Sequence, residues 1–181
     1  ITRFHCVIWP AMLMSAGLGL PERVFGHGFV YFKGEKMSKS LGTIVDPLDA
    51  ASKFGPDPLR LFLVREFAYG QDGDFSWERF EERYNSDLAN NLGNLVSRIA
   101  TMADKYCGGR LTVPAAPAGR LSDVAAAAVT AYRDSMDRFA LQEGMAAAFS
   151  IIDAANAFIA ETEPWKLAKD ESNALRVAQI L

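Results

Sequence analysis

Cysteine is scarce in this chain of 181 residues. Cys6 and Cys107 are the only two, they lie far apart, and no C-x-x-C pair exists. That speaks against a structural zinc site within this chain and for two reduced thiols in a cytoplasmic protein. A basic excess is also lacking. The formal net charge is −3, and phosphate binders usually carry a surplus of Lys and Arg. The balance argues against a broadly basic surface and leaves room for a local basic strip. No low-complexity tract is present. Met12, Leu13 and Met14 form a short apolar stretch cut by Pro10 and Gly17. The expectation is therefore no membrane-spanning run and no secretory signal. An initiator Met is missing too: Ile1 opens straight into Thr2-Arg3-Phe4, which reads as a start in mid-domain. Half the residues are apolar, enough to bury a sizeable core in one large domain or two small ones.

Phe4, Val7, Ile8, Ala11 and Met12 suit a helix over residues 3–16, stopped by Gly17, Gly19 and Pro21. Residues 24–32 are rich in β-formers and predict a strand. A turn at Lys33-Gly34-Glu35 leads to a polar loop over 36–43. Asp46-Pro47 and Asp57-Pro58 each predict a helix start, with Asp as N-cap and Pro at the first helical position. Gly55 closes the first of these helices, and the second runs from Leu59 to Phe67. Gly70, Asp72, Gly73 and Asp74 predict a loop.

From Ser76 the pattern changes. Ser76 lacks the acidic partner of a full capping box but is still expected to cap. Apolar residues recur at Trp77, Phe80, Tyr84, Leu88, Leu92, Leu95, Ile99, Met102 and Tyr106. They predict one long amphipathic helix ending at Gly108-Gly109. A linker over 114–119 precedes two alanine-rich helices at about 122–140 and 142–162, and Pro164 breaks the second. A last helix begins near Trp165. A helix and strand of an α/β sheet therefore lead into a helix bundle.

Lys36 and Lys39 lie three apart on the loop between Gly34 and Gly42. Both can approach one polyphosphate from the same side, as point charges with three donors each. Ser38 and Ser40 can add hydroxyl donors. For a generic K-x-x-K the bland reading, a solvated loop, would stand. Two further groups have chemistry and a bland alternative. Ile1 and His5 share a helical face with Phe4 and Trp9 adjacent. An apolar wall with one polar handle suits a thioether, and plain core packing of His5 is the alternative. Asp87, Asn91, Asn94 and Arg98 form a stripe on the long helix with Arg83 beside it. Asn offers donor and acceptor, and Arg a fork and a plane, as base recognition requires. A solvated face is the alternative.

The pentapeptide Lys36-Met37-Ser38-Lys39-Ser40 matches the KMSKS signature of class I aminoacyl-tRNA synthetases letter for letter. Its flanks resemble the methionyl-tRNA synthetases: Phe4-His5 with Trp9-Pro10-Ala11, His27-Gly28 ahead of Gly34-Glu35-Lys36, Asp72 to Ser76, Asp87 to Asn90, Gly93-Asn94-Leu95 with Arg98, and Glu163-Pro164-Trp165. The likeness covers essentially the whole chain. The family's H-I-G-H-type motif and its connective insertion, zinc-bearing in many members, are not in these residues.

The resemblance implies a mostly α chain. Residues 1–45 would be the C-terminal remnant of a Rossmann-type α/β catalytic domain with the signature loop. Residues 46–75 would connect it to an antiparallel helix-bundle anticodon-binding domain at 76–181. The implied activity is ATP-dependent formation of methionyl-adenylate and transfer to the 3′ end of methionine tRNA, with this portion inactive alone. Lys36 and Lys39 are the implied catalytic charges. Gly28, Val30, Lys36, Met37, Ser38, Lys39 and Ser40 would bind ATP, which brings Mg2+. Ile1, Phe4 and His5 would bind methionine. Asn94, Arg98, Pro164 and Trp165 would read the anticodon, with Trp165 a stacking platform or else core. No zinc is expected in this chain. The partners would be methionine, ATP and both ends of the tRNA, in the cytoplasm. Two other readings share parts of this pattern: a class I synthetase for cysteine, leucine, isoleucine or valine, and a non-catalytic tRNA-binding helical module.

Overall fold

A computed structural model gives the structure, which describes residues 1–38, 42–111 and 119–181. Helix α1 spans Phe4–Ser15, and its first turn, Phe4–Ile8, is wound as a π-helix. No residue of α1 is buried. The β-rich stretch after it pairs only at its end: β1 is Val30–Phe32, not residues 24–32. Gly26 and Gly28 interrupt the run, and among the described residues 24–28 have no ladder partner. Strand β2, Glu35–Lys36, folds back antiparallel, so Lys36 lies on a strand rather than on the loop.

Helix α2, Pro47–Phe54, begins as expected, with Asp46 Oδ1 accepting from the Leu48 amide at 2.8 Å. Helix α3, Pro56–Glu66, starts one residue ahead of the expected cap. Gly55 takes the cap position at φ +97°, and Asp57 lies in the first turn. The expected loop at 70–74 contains a third strand. Strand β3, Gly73–Phe75, pairs in parallel with β1, matching Val30 to Gly73 and Phe32 to Phe75. The sheet order is β2-β1-β3. A strand this short, flanked by Gly70 and Asp72, carries no alternation from which to read it.

Ser76 caps the long helix by accepting from the Arg79 amide at 3.1 Å. That helix runs through α4 (Trp77–Arg83), a π-helical stretch (Tyr84–Gly93) and α5 (Asn94–Cys107). Gly108 ends it in the left-handed conformation. The segment expected as a linker at 114–119 lies, apart from Gly119, outside the described residues. Helices α6 (Arg120–Asp137) and α7 (Leu141–Thr162) form a hairpin. Glu163 turns left-handed, and Pro164–Leu167 forms α8. A 3-10 turn, Glu171–Asn173, and α9, Ala174–Ile180, follow. The continuous stretch Leu141–Leu167 is apolar and long enough to cross a bilayer by composition alone, which corrects the expectation that no such run exists. Alanines raise its mean hydropathy. It packs into the bundle nonetheless, with Asp153 hydrogen-bonded to Asn91.

Two cores result. Ala50, Phe62, Phe75 and Phe80 gather α2, α3, β3 and α4, with Val30, Phe32 and Met37 packed on them. Leu95, Met102 and Ile159 join α5 to α7, with Trp165 against them. Ions tie α3 to the long helix. Arg65 Nε donates to Asp87 at 2.8 Å, while Glu66 accepts from Arg79 at 2.7 Å and Arg83 at 2.6 Å. Burial opposes ionisation of Glu66, but the two guanidinium hydrogen bonds outweigh it and hold the carboxyl below the ordinary glutamate range.

Candidate functional site

The signature loop leaves the edge of the sheet at β2. The Lys36 ammonium stands exposed, 5.6 Å from the centroid of the Phe29 ring. Met37 turns the other way and packs on the first core, so it anchors the loop. Across the loop's base the Ser38 amide donates to Thr43 Oγ1 at 3.0 Å, and the Thr43 amide returns a bond to the Ser38 carbonyl at 3.2 Å. The Ser38–Thr43 pair joins the chain on either side of residues 39–41. Lys39 and Ser40 lie outside the described residues.

Gly28 and Val30 stand on the chain entering β1. A Cβ at Gly28 would collide with the Gln71 carbonyl, so only glycine lets the two backbones meet. Asp72 fixes that approach by accepting from the Phe29 amide at 2.8 Å and from the Tyr31 hydroxyl at 3.3 Å. Asp74 accepts from the Gly34 amide at 2.9 Å and steadies the turn into Lys36. Both acids belong to the stretch expected to be a plain loop. The β-bridge makes them part of the site's scaffold, and only the parallel pairing brings them there. Beside Gly28 and Val30 opens a cavity of about 210 Å3, lined also by His27, Leu63, Phe67 and Tyr69.

Ile1, Phe4 and His5 do come together. The His5 Nδ1–H donates to the Ile1 carbonyl at 3.1 Å, which leaves Nε2 outward. The Trp9 ring meets His5 edge-on at 6.3 Å. Phe4, His5, Ile8, Trp9 and Met12 line one open, largely apolar groove. His5 is exposed.

The long-helix stripe divides. Asp87 is buried in its ion pair with Arg65. Asn91 donates to Asp153 at 2.7 Å and accepts from Asn156 at 2.8 Å. Both are structural. Asn94 is exposed, and among the described residues its side chain makes no hydrogen bond. Arg98 forms no ion pair among them. Its guanidinium instead lies over the Trp165 ring. Pro164 is fully buried and sets the helix break, while Trp165 is half-buried. Asn94 thus offers an amide without a hydrogen-bond partner among the described residues, beside a fork at Arg98 and a ring at Trp165 that are paired with each other. Among the described residues no three His, Cys, Asp or Glu side chains converge as a metal site.

Residues 1–100 match the family model described as tRNA synthetases class I (M). The chain is 47% identical to the methionine–tRNA ligase of Brucella suis biovar 1 (strain 1330), covering 94% of this chain and 34% of that protein. To the methionine–tRNA ligase of Thermotoga maritima it is 44% identical, over 100% of this chain and 29% of the other. It spans about a third of the length of these relatives. Among solved structures, Mycobacterium tuberculosis methionyl-tRNA synthetase in complex with methionyl-adenylate superposes with a TM-score of 0.89 at 42% identity, covering 98% of this chain and 36% of that one.

Proposed function

This chain belongs to the class I tRNA synthetases of the methionine type, and we propose that it supplies the signature-loop edge and the anticodon-reading bundle of a methionine–tRNA ligase. The observation that carries this reading is the arrangement around Lys36. An exposed cation stands on the short edge strand β2, 5.6 Å from the ring of Phe29, the residue between Gly28 and Val30, and just ahead of the Ser38–Thr43 pair.

The reaction would couple methionine to AMP with loss of pyrophosphate and then pass the methionyl group to the tRNA 3′ end. In-line attack on the α-phosphate asks for positioning and charge stabilisation more than acid–base groups. Lys36, with Lys39, would meet charge growing on the departing pyrophosphate. Ser38 and Ser40 would add donors at the same phosphates. Met37 would act through its backbone, since its side chain is packed on the core. The chain at Gly28 and Val30 would take the adenine side. Mg2+ would arrive with ATP as part of the substrate. Ile1, Phe4 and His5 would form one wall of the methionine pocket, with the thioether against the apolar groove. Asn94, Arg98 and Trp165, held by Pro164, would read anticodon bases. The enzyme would work in the cytoplasm.

The test is amino-acid-dependent ATP–pyrophosphate exchange by the full-length protein. Methionine should support it, and cysteine, leucine, isoleucine and valine should not. Exchange driven by one of those four in place of methionine would overturn the assignment, and no exchange with any of them would favour a tRNA-binding module.

A further inference from the structure

Residues 19–28 connect α1 to β1, and among the described residues they form no backbone–backbone hydrogen bond. Chain without ladder bonds is placed by its side chains. Here those contacts come largely from aromatic rings. Phe25 stacks on Phe139 with centroids 4.6 Å apart and rings 28° from parallel. Phe25 also meets Tyr69 at 5.2 Å, and His27 meets Tyr69 edge-on at 6.1 Å. The Arg23 guanidinium lies 5.3 Å from the centre of the Phe139 ring.

Phe139 belongs to the corner between α6 and α7, more than a hundred residues further along the chain. The corner is fixed on its own side. The Ala140 amide bonds the Ser135 carbonyl at 2.8 Å, and Gln142 Nε2 donates to the Arg65 carbonyl of α3 at 3.1 Å. Phe139 holds φ +60°, a left-handed conformation that a side-chain-bearing residue rarely takes. Asn or Gly would take this turn with less strain. A bulky aromatic held there points to a use for the ring.

We propose that Phe139 is a positioning residue for the nucleotide side of the active site. Through Phe25 it sets where residues 24–28 lie and so aims Gly28 against Val30, which the β1–β3 ladder already holds. The bundle that would read the anticodon thereby props the chain that would hold adenine. This rests on the reading of Gly28 and Val30 given above.

The experiment compares Phe139→Ala, Phe139→Gly and Phe139→Tyr in the full-length protein by methionine-dependent ATP–pyrophosphate exchange. Phe139→Ala and Phe139→Gly should each raise KM for ATP about fivefold, the scale of one aromatic pair, with KM for methionine unchanged. Phe139→Tyr keeps the ring and should stay near wild type. Phe139→Gly relieves the left-handed backbone, so its melting temperature should not fall, which separates positioning from fold damage. Lys36→Ala runs alongside. If Lys36→Ala slows adenylate formation while KM for ATP is unmoved in both ring-less variants, the proposal falls and the nucleotide-site reading stands. If Lys36→Ala has no effect either, both fall. Equal rises in both KM values would likewise overturn it, as would a Phe139→Tyr variant as poor as Phe139→Ala.

Discussion

The guanidinium carbon of Arg98 lies 5.7 Å from the centroid of the Trp165 ring. The two residues are far apart in sequence and come from α5 and α8. Their meeting depends on Leu95 and Ile159 packing between the helices and on the turn at Glu163-Pro164. A cation over an indole at an exposed site is worth about 0.5–1 kcal/mol. That is enough to hold both groups ready and too little to keep a base from displacing one of them.

At the other end of the chain, Lys36→Ala in the full-length protein should slow adenylate formation. Removing one preorganised charge contact to a developing anion costs about 3 kcal/mol of barrier. Methionine binding should hardly change, because Lys36 lies on β2 and not in the α1 groove. Single-turnover formation of the adenylate checks this, and an unchanged rate would make the loop structural.

His5→Ala should weaken methionine binding while ATP affinity stays near wild type. The Nδ1–H is committed to the Ile1 carbonyl, so the variant loses one ring edge of the groove, while that carbonyl keeps the Phe4 and His5 amides as donors. Titration of each substrate separately decides the point. Equal losses for both would mean that the helix itself had been damaged.

Glu66 gives a pH prediction. Its carboxyl, bonded to Arg79 and Arg83, titrates below the ordinary glutamate value. A depressed carboxyl stabilises the fold above its unfolded pKa and loses that contribution as pH falls through the folded one. Glu66→Gln should therefore cost about 2 kcal/mol at neutral pH, the scale of a charge-assisted hydrogen bond. The gap should shrink as pH falls below the ordinary glutamate range and the wild-type carboxylate protonates in its turn. Urea unfolding at several pH values measures it. A gap independent of pH would show that charge at Glu66 contributes nothing.

Local rules carried much of the architecture. Asp46 before Pro47, Ser76 before Trp77 and Gly108 after Cys107 cap their helices where the residues themselves suggest. The signature loop was read from its likeness to a family motif, since K-x-x-K spacing alone predicts only a solvated loop, and i, i+4 spacing suggested the Ile1–His5 face without deciding its role. Long-range pairing was not visible in spacing. Strand β3 exists because Gly73 can lie against Val30, and only Gly fits where the Phe67 ring crowds the backbone. The stripe from Asp87 to Arg98 looked uniform as a helical face. The fold splits it, because Arg65 reaches Asp87 from α3 and Asn156 reaches Asn91 from α7. Which residues of an amphipathic helix remain free is decided by neighbours that spacing within the helix does not reveal.

The last prediction uses that division. Trp165→Ala in the full-length protein should cut aminoacylation of methionine tRNA by about tenfold or more, since one base stacked on an aromatic ring is worth about 1–3 kcal/mol. ATP–pyrophosphate exchange without tRNA should stay near wild type. No contact to the signature loop or to the α1 groove is lost. Trp165 also rests one side against Leu95, Met102 and Ile159, so truncation to Ala empties space in the second core and lowers stability as well. Trp165→Phe keeps a stacking face and most of that packing, and should lose less aminoacylation than Ala. Arg98→Ala should show the same split between the two reactions while leaving the core intact, and it should flatten the salt dependence of tRNA binding if the guanidinium touches phosphate. Asn94→Ala, at an exposed position, should weaken tRNA charging with no change in melting temperature. Loss of both reactions together in Trp165→Ala, with exchange and melting temperature falling in step and Arg98→Ala silent, would reassign Trp165 to the core and remove this face from the anticodon site.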